Sequence, residues 1–285
     1  MSESARRSNT PESGQRKSHV FYNTLPPEAI SEELAPVIAE LGLEDNCRQL
    51  AMEGWTVIEQ AASMEFNARL RSKILEICAG RGGGNMLLAK DPVFAEAVLN
   101  PKLLAMAEFS VGRGFLISQV AASVRPKGAG TIGLHADNNW VPAPFPAHNL
   151  LLTCCWACDD YTEAGGSTLI IPGSNSLHRH PDADEVRAVK GAVAIECPAG
   201  SVAMWDSNLW HSNYPRTLDG ERVVCHITYS RLMMRIIEDY RECADELVAA
   251  HGDRMVQLMG RQDSLAGING FEYDKLMVTF NNSKR

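Results

Sequence analysis

The stretch Gly200-Ser-Val-Ala-Met-Trp-Asp-Ser-Asn-Leu-Trp-His211 decides how the rest of this chain is read. Ser201 to Trp205 has the character of a short strand, Asp206 opens a polar turn, and His211 follows the apolar stretch Val202 to Trp210. Runs of the same kind lie on both sides: Phe115 to Val124, Leu150 to Cys158, Ser167 to Ile171, Ala192 to Glu196 and Val223 to Tyr229. All are rich in β-branched, aromatic or small apolar residues, and Gly, Pro and Asp turns separate them. Several short strands without long helices between them predict a jelly-roll, cupin-like double-stranded β-helix.

The flanks read as helical, which makes the expected class α+β. Ile30, Leu34, Val37, Ile38 and Leu41 recur at helical spacing before a stop at Gly42, and Trp55 to Ile58 reads as a first strand. Ser63 to Cys78 predicts a helix with Phe66, Leu70, Ile74 and Ile77 on one face, and Pro92 to Phe109 predicts helical segments broken near Pro101. Arg81-Gly-Gly-Gly84 lacks the Lys-Ser/Thr of a phosphate-binding loop and reads as a flexible connection. Beyond Arg231 a helical pattern returns through Met234, Ile237, Tyr240, Leu247 and Val248, while Phe271 to Arg285 receives no assignment. The expected organisation is a disordered tail over 1–20 and one domain over 21–285. That domain comprises helical support over 26–112, a barrel core over 113–231 and C-terminal helices over 232–285.

With 285 residues, 45% of them apolar, the chain can fill a sizeable core. A net charge of −8 argues against a polyanion partner, so nucleic acid is not expected. Met1 to Lys17 is polar and no apolar h-region follows it. No stretch reaches the roughly 18 apolar residues of a membrane span. A cytoplasmic protein off the membrane, with its eight cysteines as thiols, is therefore expected, and self-association stays open. Cys154, Cys155 and Cys158 include a Cys-x-x-Cys, yet no second pair stands at zinc spacing and the run suits a buried strand.

His135-Ala-Asp137 places two ligand-type side chains two residues apart, on the same face of an extended segment, and His211 offers a third from another strand. Two imidazoles and one carboxylate form the ligand set of non-heme Fe(II) oxygenases, which leaves metal positions open for cosubstrate and oxygen. A His-x-Asp alone arises often by chance, so the surrounding sequence carries the weight. His178 and His180 fall in the polar segment Ser174 to Asp184 and read as surface loop, and His148 and His226 read as locally satisfied side chains.

That surrounding sequence consists of Ala164-Gly-Gly-Ser-Thr-Leu-Ile-Ile-Pro-Gly-Ser174, the Gly200 to His211 run, Asn213 and Arg222. It resembles the phytanoyl-CoA dioxygenase family of Fe(II)/2-oxoglutarate oxygenases, from Gly54-Trp-Thr-Val-Ile-Glu59 through Tyr229. The resemblance implies Fe(II) held by His135, Asp137 and His211, with 2-oxoglutarate and O2 as cosubstrates. It implies that Arg222 pairs with the remote carboxylate of 2-oxoglutarate, since a guanidinium offers two parallel donors. Arg216, in the loop after Pro215, is the competitor. Thr168 and Trp156 are expected against the cosubstrate, and Gln119, polar within an apolar strand, is expected to point into the same cavity. The family often carries Gln and His where this chain has Ile132 and Asn175, changes that spare the metal but alter the pocket. Related halogenases lack the carboxylate present here as Asp137, which argues against halogenation.

Between Asp137 and Leu150 lies a proline-stiffened loop whose Trp140, Val141 and Phe145 suit a lid over a small, mainly apolar molecule. The expected substrate is a metabolite or natural-product intermediate of secondary metabolism. Hydroxylation is the default outcome, and desaturation, epoxidation or ring formation are variants. No basic cluster for the phosphates of coenzyme A is evident. Two other readings stand beside this one: a non-catalytic or zinc-containing cupin-like binding protein, and an oxygenase of protein side chains.

Overall fold

A computed structural model describes residues 26–261. The expected N-terminal tail and the unassigned C-terminal segment lie outside them. Helices α1 (Ala35–Leu41) and α2 (Glu44–Glu53) lead into strand β1 (Trp55–Ile58) and helix α3 (Met64–Ile77). Next come β2 (Gly83–Gly84), α4 (Pro92–Val98), α5 (Pro101–Val111), β3 (Leu116–Pro126), β4 (Leu151–Ala157) and β5 (Thr168–Ile170). The order then runs α6 (Ala183–Ala188), β6 (Val193–Ala194), β7 (Val202–Asp206), β8 (His211–Asn213), β9 (Glu221–Ser230), α7 (Ala244–His251) and α8 (Asp253–Leu258).

The strands form two antiparallel sheets, β1-β7-β4-β9-β3-β2 and β6-β5-β8, the double-stranded β-helix expected from the short runs. Strand period two divides the larger sheet into two faces. Leu152, Cys154 and Trp156 of β4, with Val223, Cys225, Ile227 and Tyr229 of β9, join the helices in the main core. Cys155, Ala157, Ala203, Trp205 and Val224 point the other way, toward the smaller sheet. A third cluster, Leu134, Ala136, Phe145, Leu169 and Trp210, lies apart from both.

Helix α3 begins where expected because the Ser63 hydroxyl accepts the Phe66 N–H at 3.2 Å. Helix α1 starts five residues later than the apolar spacing suggested, with Pro36 in its first turn. Proline's fixed φ and missing N–H suit a helix start. Helix α2 went unread in the sequence, since Cys47 and Leu50 are its only buried side chains. The segment after β9 is also not the continuous helix expected. Residues 231–243 form an irregular strap, and helix resumes only at Ala244. Its backbone is captured by β3: Ile237 N–H donates to the Ser118 hydroxyl at 3.0 Å and Glu238 N–H to the Ser118 carbonyl at 2.9 Å. The buried Glu238 carboxylate accepts the backbone N–H groups of Met86 at 2.7 Å and Val120 at 2.9 Å, and the Tyr240 hydroxyl. Tertiary hydrogen bonds outweigh local helical preference here.

The glycine run is likewise not a free loop. Gly83 and Gly84 pair with Ser123 and Ala122 at the edge of the large sheet. A Cβ on Gly83 would stand 2.3 Å from the Ala122 carbonyl oxygen, so only glycine allows this approach. Gly83→Ala should therefore lower unfolding free energy by about 1–3 kcal/mol in urea titrations. Gly82→Ala, whose Cβ would find nothing closer than 3.8 Å, should change it by less than about 0.5 kcal/mol. Equal effects of the two substitutions would refute the steric account.

Candidate active site

His135 and His211 are joined backbone to backbone. His135 N–H donates to the His211 carbonyl at 3.0 Å, and His211 N–H to the His135 carbonyl at 2.8 Å. The imidazole centroids stand 4.3 Å apart as a result. Asp137 N–H donates to the Ser207 carbonyl at 3.0 Å, which ties the carboxylate's backbone to the turn that precedes His211. Between the two N-terminal residues of the cluster, Ala136 turns into the third apolar cluster, so His135 and Asp137 share the opposite side.

The ligand-type atoms of His135, Asp137 and His211 lie within 4.8 Å of one another, and among the described residues no other group of three or more such side chains does so. Asp137 Oδ1 is 3.6 Å from His135 Nε2 and 3.5 Å from His211 Nε2. Each Nδ1 is engaged elsewhere, with the Gly133 carbonyl at 2.8 Å for His135 and the Leu209 carbonyl at 3.0 Å for His211. A ring that donates from Nδ1 to a carbonyl presents an unprotonated Nε2, the atom a metal takes. Oδ2 of Asp137 accepts the Thr153 hydroxyl at 3.2 Å and the Trp205 indole N–H at 3.3 Å, leaving Oδ1 toward the histidines. Burial raises the Asp137 pKa, but the adjacent His211 and His135 rings outweigh it and hold the carboxyl below its usual range. Burial lowers the His211 pKa, whereas the contact with Asp137 raises that of His135. The donor set fits a divalent ion: one anionic oxygen and two imidazole nitrogens, each fixed by a second partner.

Arg222 lies at the start of β9, buried, with its guanidinium carbon 5.2 Å from the centroid of the Tyr161 ring. One of its terminal nitrogens donates to the Gly166 carbonyl, and its buried Nε has no hydrogen-bond partner among the described residues. Arg125, its cross-strand neighbour on β3, also has a buried Nε without a partner. No carboxylate lies within ion-pair distance of either guanidinium among the described residues. Arg216 is committed instead, donating to the carbonyls of Gly165 at 3.1 Å, Asp219 at 2.7 Å and Gly220 at 3.3 Å. Thr168 meets the Tyr161 hydroxyl at 2.7 Å, beside Arg222.

Two aromatic expectations need correction. Trp156 packs on the helix-facing side of β4, with its ring centroid 5.0 Å from that of Phe66, and does not face the cosubstrate cavity. The inward residues of that strand are Thr153 and Cys155. Phe145 is also not a cavity residue. It is buried in the third apolar cluster and meets the His180 ring edge-on at 4.9 Å. Trp140 does stand at the cavity mouth, 70% exposed. The Cys-x-x-Cys cannot grip one ion, because Cys155 and Cys158 point to opposite faces of the sheet. Burial also raises both thiol pKa values, that of Cys155 to about 11.

A cavity of about 330 Å³ opens beside Asp137 and His211. Gln119 and Trp140 line it as expected, and His226 and Thr228 of β9 line it too. Counting by twos from Arg222 along β9 reaches both, a signal the sequence contained. Burial and the nearby Arg222 push the His226 pKa down to about 4.

A double-stranded β-helix carrying a His-x-Asp and a distal His on inward-facing positions defines the class as a metal-dependent oxygenase fold. Residues 54–224 match the phytanoyl-CoA dioxygenase (PhyH) family, and the chain belongs to that family. It is 30% identical over 220 residues to dioxygenase af480 of Aspergillus fumigatus, covering 70% of this chain and 71% of that one. It is 26% identical over 192 residues to the uncharacterized protein Rv1501 of Mycobacterium tuberculosis, covering 64% and 68%. Among solved structures, HygX from Streptomyces hygroscopicus with nickel and 2-oxoglutarate bound matches with a TM-score of 0.57 at 14% identity, over 73% of this chain and 90% of that one. EctD from S. alaskensis with bound Fe matches with a TM-score of 0.57 at 20% identity, over 75% and 81%. At these identities the structural likeness speaks for the fold. Among the described residues no helix is long and apolar enough to cross a membrane.

The His226 shift carries a sign. The folded ring stays neutral down to about pH 4, whereas the unfolded chain takes up the proton near the ordinary 6.5. Between those values the unfolded state binds more protons, so this residue withdraws stability as pH falls. Denaturant titrations of metal-free protein across that window should show a shallower acid loss for His226→Gln than for wild type. Parallel pH profiles would exclude a buried neutral imidazole.

Proposed function

We propose that this protein is an Fe(II)- and 2-oxoglutarate-dependent dioxygenase that oxidises, by default hydroxylates, an unactivated C–H bond of a small molecule held beside Asp137 and His211. The observation that carries the reading is the pairing of two features in one barrel. A His-Asp-His cluster with both Nε2 atoms presented stands with a buried arginine whose Nε lacks a partner. A metal site that only bound metal would have no use for Arg222, which weighs against the zinc-containing or non-catalytic reading.

His135, Asp137 and His211 would hold the iron. Iron and 2-oxoglutarate together supply the oxidising chemistry, in which one oxygen atom of O2 enters succinate, formed with CO2, and the other enters the substrate. The chain's own part is placement. Gly133 and Leu209 carbonyls orient the imidazoles, while Thr153 and Trp205 hold Asp137 by one oxygen. Arg222 offers charge and directed N–H donors to the remote carboxylate, and Arg125 strengthens the positive potential there. Tyr161 stacks on Arg222 and, through its bond to Thr168, fixes the wall of the cosubstrate pocket. Trp140 partly shields the mouth from water.

Hydroxylation is the default because nothing further than a positioned C–H bond is required of the protein. Loss of a charge-assisted bond costs about 1.5–3 kcal/mol. Arg222→Ala should therefore raise the Kd for 2-oxoglutarate at least about tenfold with iron content retained, and His211→Ala should lose both iron and the visible absorption of the iron–2-oxoglutarate chelate. Unchanged 2-oxoglutarate affinity in Arg222→Ala would overturn the assignment of the arginine. Succinate formation in wild type, absent in His211→Ala and reduced in Arg222→Ala at 2-oxoglutarate concentrations near the wild-type Kd, is the corresponding activity readout.

A further inference from the structure

The substrate half of the cavity has a chemistry of its own. Gln119 and Thr228 are direct cross-strand partners on β3 and β9, just past the irregularity where β3 takes an extra residue at Ser118. Both line the cavity, and neither side chain has a hydrogen-bond partner among the described residues. Polar side chains on a cavity wall with no internal partner are expensive to leave unsatisfied once a ligand expels water. They call for a ligand that answers them. Their place along β9 separates them from the arginine site. Thr228 is six residues from Arg222, about 20 Å along a strand, beyond the span of a short dicarboxylate anchored at the guanidinium. Gln119, expected against the cosubstrate, therefore belongs to the substrate side.

The other walls are apolar or neutral. Leu151 lines the cavity from β4, and Ile237 lines it from the strap that Glu238 and Ser118 lock onto β3. Among the described residues that line it there is neither Lys nor Arg, and the only carboxylate, Asp137, belongs to the metal cluster. A charged substrate would lose its hydration with no counter-charge in return from the described lining. The cavity volume of about 330 Å³ sits at the small end of the roughly 300–1,000 Å³ range of small-molecule sites.

Resting on the dioxygenase reading above, we propose that the substrate is a small uncharged molecule with one hydrogen-bonding edge, a hydroxyl, carbonyl or amide read by Gln119 and Thr228, and an apolar flank packed on Leu151 and Ile237. Such a molecule satisfies the polar pair, fills the space and asks for no ion pair. Binding by that edge also fixes which carbon faces the metal, so Gln119 and Thr228 determine the position of attack as well as selection.

The test uses one carbon skeleton in five forms: borneol, camphor, bornane, bornylamine and ketopinic acid. Saturation-transfer NMR titrations with the full chain, both metal-free and loaded with zinc and 2-oxoglutarate, give their relative affinities. Borneol and camphor should bind at least about tenfold more tightly than the amine or the acid. Thr228→Val and Gln119→Leu should each weaken borneol by about fivefold, one neutral hydrogen bond, and leave bornane unchanged. Tighter binding of either ion, no binding of the neutral members, or variants that keep the wild-type preference would overturn the proposal. The iron–2-oxoglutarate absorption, recorded on the same proteins, separates the two readings. Its absence in wild type would remove the cosubstrate assignment, while the fragment preference in zinc-loaded protein, where the ion engages Asp137, would still decide the substrate class.

Discussion

The reciprocal pair of backbone hydrogen bonds between His135 and His211 is the constraint on which the site depends. It brings together residues 76 positions apart in the chain, and it does so through main-chain atoms. Side-chain substitutions nearby therefore do not release it easily. Everything chemical is arranged around that bridge. The ring separation follows from it, the Gly133 and Leu209 carbonyls set each ring's protonation, and Asp137 is carried into place two residues on. The three donor atoms lie within 4.8 Å of one another, the spacing a single ion requires.

The larger sheet extends this order outward. One face of β4 and β9 belongs to the helices and the other to the cavity, and the helices work as a backing plate that stiffens the strands. The strap after β9 adds to this backing, with Ile236, Tyr240 and Cys243 in the same core as the helices and Ile237 at the cavity. Glu238 lies buried with three donors rather than a cation, so its carboxylate is spent on geometry. Through it the position of Ile237 depends on β3, so this wall of the cavity is tied to the larger sheet.

Much of this was legible in the sequence. The strand runs and the ligand pair at positions 135 and 137 rest on period two, which survives any uncertainty about strand ends, while the roles of the distal histidine and Arg222 are what the family resemblance implies. The misreadings share a physical cause. Strand β4 is apolar on both faces, so alternation gives no parity and Trp156 could be placed on the wrong side. Phe145 and the strap were decided by partners far away in sequence, against local expectation. Strand β2 is two glycines, whose only signal is the lack of a side chain. His226 on its own reads as a locally satisfied histidine, although its parity with Arg222 puts it on the cavity face.

The two-faced strands have an evolutionary consequence. Residues that hold the fold and residues that line the cavity alternate along the same few segments, yet they point into separate compartments. Replacements at positions such as 119 and 228 leave the helix-facing core untouched, so they escape much of the stability penalty that constrains a buried position. Drift in what the enzyme accepts can then run ahead of drift in its architecture. A lineage built on this barrel can acquire new substrates by single inward-facing changes, while the outward-facing half of each strand keeps the scaffold in register.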